Sequence, residues 1–316
     1  MTTSHFTIAY FDRWQHAAGL ERLAQAPELR VLRFDSHAPA ERIWPDFRAA
    51  HGYQIRSTRD ELPVFLHARA ELLARCPHLL AISADGVGYD TVDVDACTAA
   101  GVLVINQAGG NREAVAEHTL GMMLCLSKRI IESDRALRRD RAWHRNDFIG
   151  NDILGKTIGI VGLGHIGTRV AELCKGLLRM RVLAYDPYLR PADFAARGAE
   201  SAPLAELLRS ADFVSLHCPR NAETLGMIGA AELAVMKPSA YFITTARGGI
   251  HDERALIDAL RARRIRGAGL DVWAVEPPAL DNPLLQLDNV VMSPHIAGVT
   301  EERGATSRCK RWSSGG

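Results

Sequence analysis

Three charged or titratable side chains, Arg247, Glu276 and His295, follow short apolar runs in the C-terminal half of the chain. Arginine offers a two-pronged fork for a carboxylate, and histidine titrates near neutrality and can therefore give or take a proton. A neighbouring glutamate would orient the imidazole and favour its protonated form. Hydride transfer to a 2-keto acid needs a cation for the carboxylate, a proton donor at the carbonyl oxygen and a group that keeps this donor acidic. The three residue types fit these three tasks.

A second set of residues has the G-x-G-x-x-G spacing of a dinucleotide-binding loop, with glycines at Gly162, Gly164 and Gly167. An apolar, β-branched run precedes the loop at 157–161, and a segment with the helical apolar period follows it at 169–178. The first glycine would allow a tight turn, the second a close approach of a pyrophosphate, and the third close packing of helix on strand. The N-terminus of that helix would offer its N–H groups to the phosphates.

Asp186 ends the next apolar run, close to the offset of about 20 residues at which an acidic side chain meets a ribose. Its carboxylate would accept both ribose hydroxyls and repel a 2′-phosphate, which predicts NAD (NADH) rather than NADP. Arg190 lies four residues further on, and its positive charge argues against this preference for NAD. The alternative is that the glycines make only a tight turn and Asp186 caps a strand. The complete strand–helix–strand unit favours the nucleotide site.

Strand and helix patterns alternate on both sides of this unit. They predict an α/β fold of two Rossmann-like doubly wound parallel-sheet domains with an active-site cleft between them. We expect a substrate-binding domain at 1–106, with 299–316 returning to it, and an NAD-binding domain at 107–298. Residues 38–60 show no clear pattern, whereas 111–138 predicts one long helix with an apolar face.

The composition excludes several classes of protein. With 316 residues the chain is long enough for two domains. A net charge of +1, without long basic runs, argues against nucleic acid or an anionic membrane as a partner. The six cysteines form no C-x-x-C pair, which predicts buried thiols rather than disulfides or metal ligands. Neither a signal sequence nor an apolar run of about 18 residues is present, so we expect a soluble, cytoplasmic protein without a metal.

Further motifs accompany the loop and the three side chains in a fixed order along the chain. They are Gly86-Val87-Gly88-Tyr89-Asp90, Asn111 through Val115-Ala116-Glu117-His118, His217-Cys218-Pro219, Met236-Lys237, Thr245-Ala246-Arg247-Gly248-Gly249, Asp252-Glu253, Gly269-Leu270-Asp271-Val272, Glu276-Pro277, Pro294-His295 and Ala297-Gly298. With these motifs, the chain resembles the D-isomer-specific 2-hydroxyacid dehydrogenase family over nearly its whole length.

The resemblance implies a role for each side chain of the candidate site. Arg247 would bind the substrate carboxylate and carbonyl, His295 would be the general acid/base, and Glu276 would pair with His295. The backbone of Val87 and Gly88 would bind the carboxylate from the other domain, although the turn by itself favours an ordinary structural role. His165 and Ile166 would face the pyrophosphate. The rest of the cofactor site would consist of Cys218, Pro219, Thr224, Thr245, Ala246 and Asp271.

The function that we expect is reduction of a small 2-keto acid such as glyoxylate, hydroxypyruvate or pyruvate with NADH. No regulatory domain follows the last motif, which favours this class over a feedback-regulated phosphoglycerate dehydrogenase. A nucleotide-sensing protein of the same fold, similar to the corepressors that resemble this family, is the alternative. The resemblance also implies a homodimer, with the apolar helix at 111–138 as the contact.

Two stretches depart from the family pattern. His251 stands where the family usually has a small apolar residue, and we interpret it as a variation at a helix start. Residues after Thr300 lack the apolar face of the helix that family members place there. The pattern predicts a truncated or frame-shifted end, no packed helix from about Gly304 onward, an exposed apolar groove on the first domain and a low-activity enzyme.

Overall fold

The computed structural model describes residues 6–14, 17–139 and 142–302. These residues group into two compact units: one contains the described residues up to Asn111 together with 300–302, and the other is Arg112–Val299. The segment for which the sequence predicts no packed helix, from Gly304 onward, lies outside the described residues. In each unit all strands run parallel in one sheet, which confirms the predicted α/β class with two doubly wound sheets.

The first unit has a five-stranded sheet in the order β2-β1-β3-β4-β5. Its strands are β1 (Phe6–Phe11), β2 (Leu29–Phe34), β3 (Gly52–Ile55), β4 (Ala81–Ala84) and β5 (Leu103–Ile105). Its α-helices are α1 (Ala17–Ala24), α2 (Ala40–Phe47), α3 (Ala70–Arg75) and α4 (Val94–Ala99).

The stretch at 38–60, in which the sequence shows no pattern, folds into α2 and β3. The helix has only eight residues, carries Pro45 in its interior and buries only Ile43 and Phe47. So short an apolar face gives little periodic signal. Phe47 contacts the rings of Phe11 and Tyr53 edge to face, so the segment is held by the core of the unit rather than by its own helical preference.

The second unit has a seven-stranded sheet in the order β12-β11-β10-β9-β6-β7-β8. Its strands are β6 (Thr157–Val161), β7 (Arg181–Tyr185), β8 (Glu200–Ser201), β9 (Phe213–Leu216), β10 (Tyr241–Thr244), β11 (Gly267–Leu270) and β12 (Val290–Met292). Its α-helices are α5 (Arg112–Ser127), α6 (Ile130–Arg139), α7 (His165–Leu178), α8 (Pro191–Ala196), α9 (Leu204–Ser210), α10 (Ala230–Ala234) and α11 (Glu253–Arg261).

Every residue of β9, β10 and β11 is buried, because helices cover both faces of this sheet. On one face, Met122 and Met123 of α5 pack with Val170 of α7. On the other, the core contains residues of α9, α10 and α11, including Leu256. A Cβ built on Gly269 of β11 would lie 3.1 Å from Cβ of Met122, so α5 runs directly over this strand.

The prediction of a single helix at 111–138 is wrong, because α5 ends at Ser127 and a separate helix, α6, begins at Ile130. Arg129 adopts a left-handed backbone conformation with φ 54°. The carbonyl of Ser127, which would accept the next helical hydrogen bond, instead accepts one from the backbone N–H of Asn151 at 2.7 Å. The Nε of Arg129 donates to Glu132 Oε2 at 2.7 Å, which holds the turn. A contact distant in sequence therefore ends a helix whose apolar period continues.

Short 3-10 helices lie at Arg59–Glu61, Val64–Leu66, Arg145–Phe148 and Pro283–Gln286. Within the described ranges, no helix combines the length and the apolar character that crossing a membrane requires.

Candidate functional site

The glycine loop connects β6 to α7 in the second unit, and each of its glycines has a different surrounding. Gly162 has φ 91°, and a Cβ there would lie 2.6 Å from the backbone nitrogen of Cys218. A Cβ on Gly167 would lie 2.1 Å from the carbonyl oxygen of Gly162. Both positions therefore need glycine for the protein's own packing. At Gly164 a Cβ would meet no atom within 4 Å, so the surface over this residue is open.

Helix α7 begins at His165, and no side chain in the described part of the chain caps its first turn. The first N–H groups of a helix have no partner within the helix and carry the positive end of its dipole. Above Gly164 these groups, including those of His165 and Ile166, can receive a phosphate. The open surface and the uncapped helix end fit the pyrophosphate of a dinucleotide.

Asp186 follows the last residue of β7 and turns its carboxylate toward the glycine loop. Its Oδ2 accepts a hydrogen bond from the backbone of Leu163 at 3.0 Å, and its Oδ1 accepts one from Tyr188 at 3.1 Å. A carboxylate has about four lone-pair positions, so further donors can still bind. Arg190 is paired with Asp193 through its Nη2 at 3.0 Å, which gives this guanidinium a partner on its own helix.

Arg247, Glu276 and His295 follow β10, β11 and β12, which are neighbours in the sheet, so all three lie at its carboxyl edge. His295 Nδ1 lies 2.7 Å from Glu276 Oε2. The two side chains are 24% and 17% exposed, so the pair is accessible but largely desolvated. Arg247 donates from Nη1 to the carbonyl of Ala246 at 2.7 Å. Ligands bind at this edge in open α/β sheets.

Glu276 is held as a carboxylate by its neighbours. Burial alone would raise its pKa, but the hydrogen bond from His295 and the positive charges of His295 and Arg247 lower the pKa below its ordinary value. Its other oxygen, Oε1, accepts a hydrogen bond from the backbone N–H of Trp273 at 3.1 Å. Both oxygens are therefore engaged, and the carboxylate cannot easily turn away from the imidazole.

The loop after β9 carries Cys218, Pro219 and Thr224. Cys218 lies beside the glycine loop, and burial raises the pKa of its thiol to about 11, so it is a neutral group. The hydroxyl of Thr224 donates to the carbonyl of Pro219 at 2.7 Å and closes the loop. After β10, Thr245 is buried, with its hydroxyl 3.3 Å from that of Thr119 on α5. Cys218 and Pro219 closely follow β9, and Thr245 directly follows β10, so these three residues lie at the carboxyl edge of the sheet.

Asp271 follows β11 directly and is fully buried. Its carboxylate accepts hydrogen bonds from the hydroxyl of Ser293 at 2.6 Å and from the backbone of Ile296 and Ala297 at 2.8 and 2.9 Å. Neither Ser293 nor this arrangement is apparent from the sequence. A serine immediately before Pro294-His295 is a signal too weak to be noticed without the contact.

Val87 and Gly88 belong to the first unit, in the turn that leaves β4. The side-chain amide of Asn106 donates to the carbonyl of Val87 at 2.9 Å. Just before the turn, the buried carboxylate of Asp85 accepts the backbone N–H of Ser57 at 2.8 Å and pairs with Arg56 at 3.2 Å. The turn is thus anchored to the neighbouring loop. Its role toward a carboxylate stays a prediction.

The family model described as "D-isomer specific 2-hydroxyacid dehydrogenase, NAD binding domain" matches residues 120–297. A D-3-phosphoglycerate dehydrogenase of Mycobacterium leprae is 46% identical over 233 residues, which are 74% of this chain and 44% of that protein. A glyoxylate reductase of Korarchaeum cryptofilum is 42% identical over 237 residues, 74% of this chain and 71% of that protein. The match thus spans less than half of the phosphoglycerate dehydrogenase.

Solved structures resemble the whole chain. A D-lactate dehydrogenase of Aquifex aeolicus, complexed with NAD and lactic acid, has a TM-score of 0.81 at 29% identity, covering 95% of this chain and 92% of that one. An acyclic imino acid reductase in complex with NADPH and D-Arg has a TM-score of 0.83 at 27% identity, covering 96% and 93%.

Proposed function

Because the chain belongs to the D-isomer-specific 2-hydroxyacid dehydrogenase family, we propose that it interconverts a small 2-keto acid and its D-2-hydroxy acid with NAD(H). The observation that carries this proposal is the pair of His295 and Glu276, 2.7 Å apart, at the same sheet edge as Arg247 and the glycine loop. A titratable donor, a group that keeps it acidic and a cation for a carboxylate are what this reaction requires.

His295 acts as the general acid in reduction. Its Nδ1 is bonded to Glu276, so the proton passes from the other ring nitrogen, Nε2, to the carbonyl oxygen of the keto acid. The carbonyl carbon receives a hydride, which bound NADH supplies, and the imidazole is left neutral. In the reverse direction the neutral imidazole takes the hydroxyl proton. Glu276 stabilises the imidazolium form and fixes the orientation of the ring.

Arg247 binds the carboxylate of the substrate. A guanidinium presents two parallel N–H donors, which match the two oxygens of a carboxylate. The backbone N–H groups of Val87 and Gly88, in the turn after β4, are further candidate donors to a substrate carboxylate. A carboxylate held by Arg247 orients the neighbouring carbonyl for transfer, which is the main requirement for a reaction between two bound partners.

The residues that would hold the cofactor are Gly164, whose open surface fits a pyrophosphate, and Asp186, whose carboxylate would accept the ribose hydroxyls. A carboxylate at this position repels a 2′-phosphate, and Arg190 already pairs with Asp193. We therefore propose NAD rather than NADP, although a relative of similar fold was solved with NADPH. In the variant Asp186→Ala, the ratio of NADH to NADPH affinity should fall toward one. A wild-type ratio in this variant would remove Asp186 from the ribose site.

The substrate is a 2-keto acid with a small uncharged side chain, such as glyoxylate, hydroxypyruvate or pyruvate. The test is NADH oxidation with these three acids and with 3-phosphohydroxypyruvate, followed by chiral analysis of the product. We expect turnover with the small acids and a D-configured product. NADH binding without turnover of any acid would favour a nucleotide-sensing protein, and preference for the phosphorylated acid would favour a phosphoglycerate dehydrogenase.

We also propose a homodimer. Most apolar residues of α5, including Met122 and Met123, are buried in their own unit, whereas Leu120 and Leu124 are only partly buried. On α6, Ile130 and Leu137 are each 48% exposed and are available to a second copy. Light scattering at micromolar concentration should give twice the mass of one chain, and Leu137→Glu should weaken the association. A wild-type monomer under these conditions would exclude the dimer.

A further inference from the structure

A chain of hydrogen bonds connects helix α5 with the loop that carries His295. His118 Nε2 lies 2.9 Å from the hydroxyl oxygen of Ser293, and this hydroxyl lies 2.6 Å from Oδ1 of Asp271. His118 and Ser293 are 175 positions apart in the sequence, and both belong to the second unit. The direct distance from His118 Nε2 to Asp271 Oδ1 is 3.8 Å, so the hydroxyl bridges the two side chains.

The direction of each bond follows from the donors available. A carboxylate can only accept, and a hydroxyl has one proton to donate. Asp271 therefore receives the proton of Ser293, and Ser293 must accept from His118. It follows that His118 carries a hydrogen on Nε2, whether its ring is neutral or protonated. The bond thus persists in both charge states.

Asp271 connects the hydrogen bond between His118 and Ser293 to the backbone of the loop at 293–297. In addition to its contact with Ser293, its carboxylate accepts the backbone N–H groups of Ile296 and Ala297, and its own carbonyl accepts the N–H of His295 at 2.7 Å. His295 has φ 57°, a left-handed conformation that is unfavourable for a residue with a side chain. The bonds to Asp271 hold the backbone in this conformation.

We propose that His118 is a positioning residue for the proton transfer: through Ser293 and Asp271, it fixes the loop that points His295 toward the substrate. The proposal rests on the proposed function for His295, but the restraint itself is a property of the protein without substrate. A donor misplaced by about 1 Å can lower the rate by about 100-fold. Loss of the His118 bond should therefore act on turnover more than on binding.

The test compares His118→Gln with His118→Leu. The side-chain amide of glutamine can donate to Ser293 in place of Nε2, whereas leucine cannot. Glu117→Gln, on the exposed side of the same helix, is the matched control. We expect His118→Leu to lower kcat by about 10-fold with nearly unchanged NADH affinity, and His118→Gln to recover most of the loss. Equal values of kcat for the leucine variant and the control would overturn the proposal.

A second measurement does not depend on activity. Amide hydrogen exchange of Ile296 and Ala297 reports directly on the loop in the cofactor-free protein. It should accelerate in His118→Leu and in Ser293→Ala, and remain near the wild-type rate in His118→Gln. If no keto acid is turned over, the proposed function fails, but these exchange rates still decide whether His118 restrains the loop. Wild-type exchange rates of Ile296 and Ala297 in both His118→Leu and Ser293→Ala would refute the proposal that His118 restrains the loop.

Discussion

His295 Nδ1 and Glu276 Oε2 lie 2.7 Å apart, across a stretch of 19 positions that includes the edge strand β12. The contact assigns one ring nitrogen to the protein and leaves the other for a ligand. Because Glu276 is also held by the backbone of Trp273, the imidazole is oriented by a group that is itself fixed. Orientation of this kind lowers the reorganisation that accompanies proton transfer.

Replacement of His295 should remove turnover while leaving the fold intact. Asparagine is a better probe than alanine, because asparagine tolerates the left-handed backbone found at this position. We expect His295→Asn to lower kcat by about 10²–10⁴-fold, the usual contribution of a positioned acid or base, with little change in NADH affinity. Kinetics and NADH fluorescence titration would show this. A parallel loss of NADH affinity would mean that the residue is structural.

Glu276→Gln should change the pH dependence of the reaction. The lowered pKa of Glu276 means that it is ionised at neutral pH, where its negative charge favours the imidazolium. Without this charge the imidazolium loses its proton more easily, so the upper pH limit of keto-acid reduction should move down. The pH profile of kcat/KM is the measurement. If the upper limits of the variant and the wild type coincide, the two side chains are not coupled in the reaction.

Alanine substitutions in the glycine loop should separate folding from cofactor binding. At Gly164 a Cβ meets no protein atom within 4 Å, so Gly164→Ala should leave the melting temperature nearly unchanged and weaken NADH binding. Gly162→Ala is the contrasting variant, since its Cβ would lie 2.6 Å from Cys218 at φ 91°. It should lower both stability and affinity. Undiminished NADH affinity in Gly164→Ala would place the pyrophosphate elsewhere.

His251→Leu should stabilise the protein. His251 is 2% exposed, and neither of its ring nitrogens has a hydrogen-bond partner among the described residues. Leaving a buried polar group unpaired costs about 1–3 kcal/mol, which an apolar side chain of similar size would recover. Urea unfolding at pH 7 is the measurement. His217→Leu is the contrasting variant and should give a smaller gain, because His217 Nε2 bonds to Ser215 at 2.9 Å and only its Nδ1 lacks a partner among the described residues.

The stability of the variant His251→Leu should also decrease less than that of the wild type as the pH falls. Burial lowers the pKa of His251 from 6.5 to about 4, so the unfolded chain takes up its proton first as the pH falls. The wild type should therefore lose up to about 1.4 kcal/mol of stability per pH unit between pH 6.5 and about 4 from this residue. His251→Leu should lack that loss. If its stability falls with pH as steeply as that of the wild type, burial does not keep His251 neutral.

Local patterns in the sequence were sufficient for the parts of the fold that depend on local chemistry. The glycines of the loop at 162–167 were predictable because a tight turn and a close helix–strand contact exclude a side chain at two of them. The central strands β9, β10 and β11 of the second sheet were predictable because burial on both faces produces continuous apolar runs. Arg247, Glu276 and His295 could be placed after strands, but no local pattern specifies the distance between two of them.

Contacts distant in sequence explain what was missed. The break at Arg129 depends on a hydrogen bond from Asn151, and the bridge from His118 to Asp271 depends on Ser293. Neither leaves a periodic signal, since each involves single residues brought together by the tertiary fold. His251 shows the opposite case. Its position before α11 suggests a role in starting the helix, but the packing around Phe242 buries its ring.

Strand β12, which leads into His295, has three residues and, among the described residues, pairs on one side only, with β11 at the edge of the sheet. Short, singly paired segments open locally at a lower free energy than the sheet unfolds. Opening of this strand would separate His295 from Glu276 while β6, β9 and β10 and the glycine loop remained folded. Heating should therefore inactivate the protein reversibly below its melting temperature, in a state that still binds nucleotide.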